Sequence, residues 1–214
     1  MIEPVSLVTD DGFHLEGEVR RADPERARVA LCHPHPLHGG TMQSLVISEL
    51  FRSLPGAGYT CLRFNFRGVG ASEGVHDGGA NERSDVRAAL QALGVGHHAP
   101  CFLVGWSFGA DIALSVHDSA VSGWIGIAPP LRFSRDLDVL ADDSRPKLLL
   151  LAEHDEVRDA TGVAAETASW RNTRHEIIPG ASHFFVGRTD RLCLLVQAWL
   201  TEQLAAEPRT QGRP

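Results

Sequence analysis

The chain has 214 residues, 43% of them hydrophobic and 22% charged, which is the composition of an ordinary globular protein of one domain. Its formal net charge of −7 argues against a strong electrostatic attraction to nucleic acid or anionic lipid. No apolar run approaches the roughly 18 residues that a membrane span requires, and the N-terminus lacks the pattern of a secretory signal. We therefore expect a cytoplasmic protein without nucleic-acid or membrane partners.

The first predicted elements form a β-hairpin. Residues 4–20 read PVSLVTDDGFHLEGEVR, two alternating segments joined at an Asp-Gly pair, which favours a tight turn between antiparallel strands.

The cysteines occur in or beside apolar runs without CxxC spacing, as buried thiols do: Cys32, Cys61, Cys101 and Cys193. We expect no disulfides.

Beyond the hairpin, short apolar runs alternate with longer segments of helical period. The further strands are predicted at 28–33, 59–64, 100–105, 122–128, 147–152 and 174–178. The helices are predicted near 42–54, 81–93, 108–117, 134–141, 160–170 and 189–204. This pattern indicates an α/β fold with a mostly parallel eight-stranded sheet and helices on both faces. We expect a single domain over 1–205 and a flexible C-terminal tail at 206–214.

One motif carries chemistry. Gly105-Trp106-Ser107-Phe108-Gly109 is a G-x-S-x-G sequence between an apolar strand and a helical segment, the context in which a serine sits exposed on a sharp turn. The Phe108 N–H at the helix start is an unpaired donor that can receive a developing negative charge. A helix-capping role for Ser107 is the alternative.

A serine nucleophile needs a base oriented by an acid, in the chain order Ser, Asp or Glu, His. Asp155 follows the predicted strand LLLLA, and Glu153 and Glu156 are competitors in the same turn. His183 follows the last predicted strand in a glycine-containing loop. Reacting groups of open α/β sheets gather at the carboxyl ends of strands, so we expect the triad Ser107, Asp155 and His183.

The motifs resemble those of the α/β-hydrolase superfamily, and within it small serine hydrolases without a lid. The resemblance rests on HPHPLHGG at 33–40, FNFRGVGASEG at 64–74 and GWSFGA at 105–110, and continues through DEV at 155–157 and GASHFF at 180–185. It implies that Arg67 bonds carbonyls of neighbouring loops. Relatives more often have a glycine shortly before the acid, where this chain has Glu153 and His154.

The stretch LCHPHPLHGG holds three histidines, and zinc binding is one interpretation. Pro34 and Pro36 stiffen it, and no cysteine or carboxylate stands at ligand spacing, so we expect no metal and no cofactor. The competing role is an oxyanion donor to pair with Phe108. Because the prolines lack an N–H, the backbone of His35 is the predicted donor, with Leu37 next and His38-Gly39-Gly40 as the alternative register.

Apolar side chains near these loops are candidates for a substrate pocket: Leu37, Trp106, Phe133 and Phe184. The short segment between IGIAPP and KLLLLA leaves no room for a cap domain. The sequence thus predicts a carboxylesterase-like serine hydrolase acting on a small-molecule ester or thioester through an acyl-enzyme. Acyl transfer or amide hydrolysis by the same triad, and a non-catalytic binding role on the same fold, are the alternatives.

Overall fold

An eight-stranded sheet runs through the middle of the protein. The computed structural model describes residues 1–94 and 99–206. The strands are β1 (Ile2–Val8), β2 (His14–Arg20), β3 (Ala27–Cys32), β4 (Tyr59–Phe64), β5 (Cys101–Trp106), β6 (Gly123–Ile127), β7 (Lys147–His154) and β8 (Thr173–Ser182). Their order across the sheet is β1-β2-β4-β3-β5-β6-β7-β8. Strands β3 to β8 pair in parallel, and β2 is antiparallel to both of its neighbours.

Helices cover both faces of the sheet. They are α1 (Leu45–Ser53), α2 (Glu82–Ala92), α3 (Phe108–Leu114), α4 (Leu137–Asp142), α5 (Ala160–Glu166) and α6 (Thr189–Ala206). Buried side chains of α2, α3, α4 and α5 pack into the core on one face, and those of α1 and α6 form the core on the other. Alternate residues of β3 supply the two cores, because successive side chains of a strand point to opposite faces.

Most predicted elements are confirmed within a few residues. The opening hairpin is present, with Val8 opposite His14. Strand β8 is longer than predicted, because pairing with β7 resumes beyond an irregularity and places His154 opposite Ser182. The connection from β6 to β7 contains one helix of six residues, α4, so no cap domain covers this edge in the described part of the chain.

Two predictions concern residues outside the described ranges. The predicted tail, 206–214, starts at the last residue of α6, and positions 207–214 lie outside the described residues. His97 and His98, to which we assign no role from the sequence, also lie outside the described residues.

All four cysteines are free thiols. Over the two described ranges, no helix has the length and apolar character needed to cross a membrane.

Arg67 differs from the expectation that it bonds loop carbonyls. Its guanidinium pairs instead with two carboxylates, with Nη2 at 2.7 Å from Asp85 Oδ1 and Nη1 at 2.9 Å from Asp11 Oδ2. Asp85 is buried and also accepts the Arg67 N–H at 2.9 Å. The bidentate fork of a guanidinium suits carboxylates better than single carbonyls, and it neutralises the buried Asp85. This pair joins the loop after β4 to helix α2.

We expect Arg67→Met to destabilise the fold by about 3–5 kcal/mol, because it leaves the Asp85 carboxylate buried without its partner. The matched control is Arg174→Met, which removes an ion pair to Glu202 whose side chains are 45% and 53% exposed. That change should alter the free energy of unfolding by less than about 1 kcal/mol. Urea unfolding of both variants measures the change in the free energy of unfolding. Equal losses in the two variants would contradict the stabilising role of the Arg67–Asp85 pair.

Candidate active site

Ser107 occupies the turn between β5 and α3. Its φ of 55° lies in the left-handed region, where a non-glycine residue is strained. The Ser107 N–H donates to the carbonyl of Ile127 on the neighbouring strand at 2.8 Å, which holds the turn against β6. The Ser107 side chain lies between the end of β5 and the start of α3, at the carboxyl edge of the sheet, which is the position that the motif predicts.

The glycines on either side of Ser107 allow a close contact between backbones. A Cβ on Gly105 would lie 2.1 Å from the carbonyl oxygen of Gly109, and one on Gly109 would lie 2.2 Å from the oxygen of Cys32 at the end of β3. Both distances are far below van der Waals contact, so any larger residue would push α3 away from the sheet. The pair therefore brings the start of α3 against the end of β3.

The three predicted triad residues meet in the structure. His183 Nε2 lies 2.8 Å from Ser107 Oγ, and His183 Nδ1 lies 2.9 Å from both carboxylate oxygens of Asp155. The side chains of His183 and Asp155 are 5% and 2% exposed. Because Asp155 accepts the proton on Nδ1, the Nε2 lone pair faces the serine hydroxyl. This is the arrangement in which the histidine can remove the hydroxyl proton.

The three candidate acids, Glu153 in β7 and Asp155 and Glu156 after it, have different partners. Asp155 contacts the imidazole, whereas Glu156 Oε2 accepts the backbone N–H of His183 at 3.1 Å. Glu153 Oε2 accepts the N–H of Gly180 at 2.7 Å. Asp155 Oδ1 also accepts the N–H of Val157 at 2.9 Å, which fixes the carboxylate in place. The geometry thus separates one acid that touches the base from two that hold its loop.

Trp106 also holds the histidine loop. It is 5% exposed, and its indole Nε1–H donates to the carbonyl of His183 at 3.1 Å. Trp106, the last residue of β5, therefore fixes the backbone of His183, whose imidazole contacts Ser107. Together with the Glu156 contact, the backbone N–H and C=O of His183 are both bonded to side chains.

In LCHPHPLHGG, the first histidine is a buried structural residue. His33 Nε2 accepts the N–H of Phe66 at 3.0 Å, and its Nδ1 donates to the carbonyl of Pro34 at 2.6 Å. Both ring nitrogens are thus used, and burial lowers the pKa of His33 to about 4. Over residues 1–94 and 99–206, no group of three His, Cys, Asp or Glu side chains is arranged to hold a metal ion.

The backbone of the same loop distinguishes between the possible oxyanion donors. The N–H groups of His38 and Gly40 donate to the carbonyl of His35, both at 3.0 Å, and the Leu37 N–H donates to His35 Nδ1 at 3.2 Å. Gly39 N–H is similarly occupied by the carbonyl of Pro36 at 3.2 Å. The His38-Gly39-Gly40 register and Leu37 are therefore used within the turn.

Of the predicted oxyanion donors, two N–H groups remain. Among the described residues, neither the His35 N–H nor the Phe108 N–H donates a hydrogen bond. The two residues are neighbours, since their rings lie 5.0 Å apart between centroids. Burial together with His76 and His38 lowers the pKa of the His35 side chain to about 4, so this ring is neutral. The neutral ring does not attract an oxyanion by charge, and the backbone N–H stays the candidate donor at His35.

A cleft of about 660 Å³ contains Ser107 and His183. Three of the four predicted pocket residues line it: Trp106, Phe133 and Phe184. Leu37 does not, which corrects the prediction. The 3₁₀ turn Pro36–His38 directs this side chain outward, where it is 74% exposed and borders a separate shallow depression beside the loop after β4.

Sequence reasoning missed two further residues around the cleft. Asp111 on α3 is buried and accepts the N–H groups of Leu131, Arg132 and Phe133, each at 2.9 Å. Arg132 itself lines the cleft. Asp111 interrupts an apolar helix, FGADIAL, which is a signal for a buried acid, but nothing in the sequence points to its partners.

The comparisons with known proteins show the family. Residues 24–141 match the family described as serine aminopeptidase, S33. The chain is 33% identical over 199 residues to an uncharacterized protein of Rickettsia prowazekii, with 87% of this chain and 84% of that protein covered.

Two solved structures share the fold along nearly their whole length. An alpha-beta serine hydrolase homologue from Coxiella burnetii is 35% identical, with 92% of this chain and 97% of that chain covered and a TM-score of 0.82. A serine hydrolase without lid from Xanthomonas campestris is 28% identical, with 97% of each chain covered and a TM-score of 0.84. The fold is therefore that of the alpha/beta hydrolases.

Proposed function

Because the chain belongs to the serine aminopeptidase, S33, family of alpha/beta serine hydrolases, we propose that it hydrolyses carboxylic esters, and thioesters as a related class, through Ser107, His183 and Asp155. The observation that carries this proposal is the 2.8 Å contact between His183 Nε2 and Ser107 Oγ at the base of an uncapped cleft. The apolar walls formed by Trp106, Phe133 and Phe184 support an acyl group as the bound part.

The proposed reaction has two stages. Ser107 Oγ attacks the acyl carbon while His183 Nε2 takes its proton, and the same proton then passes to the departing alkoxide or thiolate. Water repeats the sequence on the acyl-enzyme and releases the carboxylic acid. Asp155 holds the proton on Nδ1 and stabilises the imidazolium, while the N–H groups of His35 and Phe108 receive the oxyanion.

Amide hydrolysis at a free amino terminus is the second candidate. It is favoured by the family's description and by the Glu156 carboxylate in the cleft, which could bind a substrate ammonium group. Acyl transfer would use the same acyl-enzyme with another acceptor than water. A panel of 4-nitrophenyl esters, thioesters and aminoacyl 4-nitroanilides, with and without added alcohols, distinguishes these reactions.

The first test is the nucleophile. We expect a fluorophosphonate probe to label Ser107 in the wild-type protein, and Ser107→Ala to abolish labelling. Ester hydrolysis should fall by several orders of magnitude, on the order of 10⁶ where a triad acts as a unit. Circular dichroism should be unchanged, because the turn is held by backbone contacts. A folded variant with a tenth of the wild-type activity, or an unlabelled wild type, would overturn the proposal and favour a binding role.

The second test separates the three acids. Asp155→Asn should lower kcat by about 10⁴, because an amide facing Nδ1 favours the wrong imidazole tautomer. Glu156→Gln and Glu153→Gln are matched controls with much smaller losses, since a glutamine carbonyl still accepts the backbone N–H groups of His183 and Gly180. Steady-state kinetics on one ester compares all three. A larger loss at Glu156 would transfer the role of the acid to that residue.

The third test concerns the oxyanion donor. His35 has a φ of −56°, which suits proline, so His35→Pro removes the N–H without forcing the backbone. We expect it to lose about 10²–10³ in kcat, as for removal of one oxyanion donor. His35→Ala, which also loses the ring but keeps the amide, should keep much of the activity. Equal activity of the two folded variants would exclude the His35 N–H as an oxyanion donor.

A further inference from the structure

The loop after β6 brings a positive charge to the cleft. Among the described residues that line the cleft, Arg132 is the one with a permanent positive charge. Its side chain forms no ion pair with a described carboxylate, and its Nη2 donates to the carbonyl of Val157 at 3.2 Å. A guanidinium has five N–H donors in a planar fork, so most of its hydrogen-bonding capacity remains for a ligand.

Hydrogen bonds to helix α3 and its end fix the backbone of the loop that carries Arg132. Asp111 accepts three consecutive N–H groups of the loop, including that of Arg132, and this carboxylate is itself buried. The N–H of Arg135 donates to Ser115 Oγ at 2.8 Å, which ties the loop to the other end of α3. The helix that begins beside Ser107 therefore also holds the loop that carries the guanidinium. The loop backbone is therefore ordered before a ligand binds, and the Arg132 side chain is the part of it that has freedom to lose.

We propose that Arg132 determines specificity by binding a carboxylate on the substrate, away from the ester bond that Ser107 attacks. This inference rests on the proposed ester hydrolysis and deepens it. The planar fork of a guanidinium matches a carboxylate in two parallel hydrogen bonds. Arg132 lines the cleft but is exposed to solvent, so water competes for this pair and its contribution to substrate discrimination is modest. The preferred substrate class is thus an ester with a free carboxylate at a distance from its acyl carbon.

Glu156 is the opposing charge in the same cleft. One of its oxygens accepts the N–H of His183 at 3.1 Å, and no ion pair joins it to Arg132. A substrate with a positive group would be drawn to Glu156 and repelled by Arg132. Substrates that differ only in the charge of their terminal group therefore test which of the two charges selects the substrate.

The experiment uses 4-nitrophenyl esters whose acyl chains end in a carboxylate, a carboxamide or an ammonium group, at three chain lengths. A second series carries the same three groups on the alcohol side of an acetate ester. The measured quantity is the ratio of kcat/KM for the carboxylate over the carboxamide ester. Arg132→Gln is compared with Arg135→Gln, a matched change at an exposed arginine that does not line the cleft.

We expect the wild-type ratio to reach about 3 to 5 in at least one series, the effect of an ion pair at a solvent-exposed arginine. The ratio should fall to about 1 in Arg132→Gln, stay at the wild-type value in Arg135→Gln and be intermediate in Arg132→Lys, which keeps the charge but loses the fork.

Three outcomes would overturn the inference while leaving ester hydrolysis intact. They are a wild-type ratio near 1 in both series, a preference that survives in Arg132→Gln, or a preference for the ammonium esters. Failure of the proposed function itself is distinguishable, because the wild type would then hydrolyse none of the esters, including the neutral carboxamides, and the inference would fall with it.

Discussion

The close approach of β3, β5 and the start of α3 is the constraint on which the site depends. Gly105 and Gly109 have no room for a side chain, and the backbone that each would strike belongs to α3 or to the end of β3. This contact sets the strained φ of Ser107 and places the Phe108 N–H beside the loop that follows β3. The candidate nucleophile and both candidate oxyanion donors are therefore positioned by one backbone packing arrangement.

Polar side chains, buried in three of the four cases and exposed at Glu156, hold the loops that surround this contact. His33 bridges the loop after β3 to Phe66, and Asp111 fixes the loop after β6. Trp106 and Glu156 bond the backbone of His183 from two sides. Each of these side chains bonds to backbone, so each fixes the path of a loop whatever side chains the loop carries. The groups that face the cleft can then vary in chemistry on a framework that stays the same.

Local signals in the sequence were sufficient for most of the fold and for the three residues that meet at Ser107. Strands, helices and the G-x-S-x-G turn are encoded by neighbours along the chain, and the order of serine, acid and histidine follows from the topology. Partners distant in sequence were not predictable. Arg67 pairs with carboxylates instead of carbonyls, Leu37 points away from the cleft, and Asp111 contacts residues about twenty positions further on. Each outcome depends on packing between elements that no local pattern records.

The ambiguity among Glu153, Asp155 and Glu156 illustrates the same limit and its physical resolution. Three acids within four residues are equivalent in a sequence pattern, but the structure places Glu153 in β7, beside an irregularity in its pairing with β8, and the other two after the strand. Asp155 meets the imidazole and the other two meet backbone N–H groups. Glu156 consequently contacts the histidine loop and lines the cleft, as Arg132 does. The described part of the chain has no cap domain to enclose a substrate, so the proposed discrimination rests on Arg132 and Glu156, two charges of opposite sign that line a cleft with largely apolar walls.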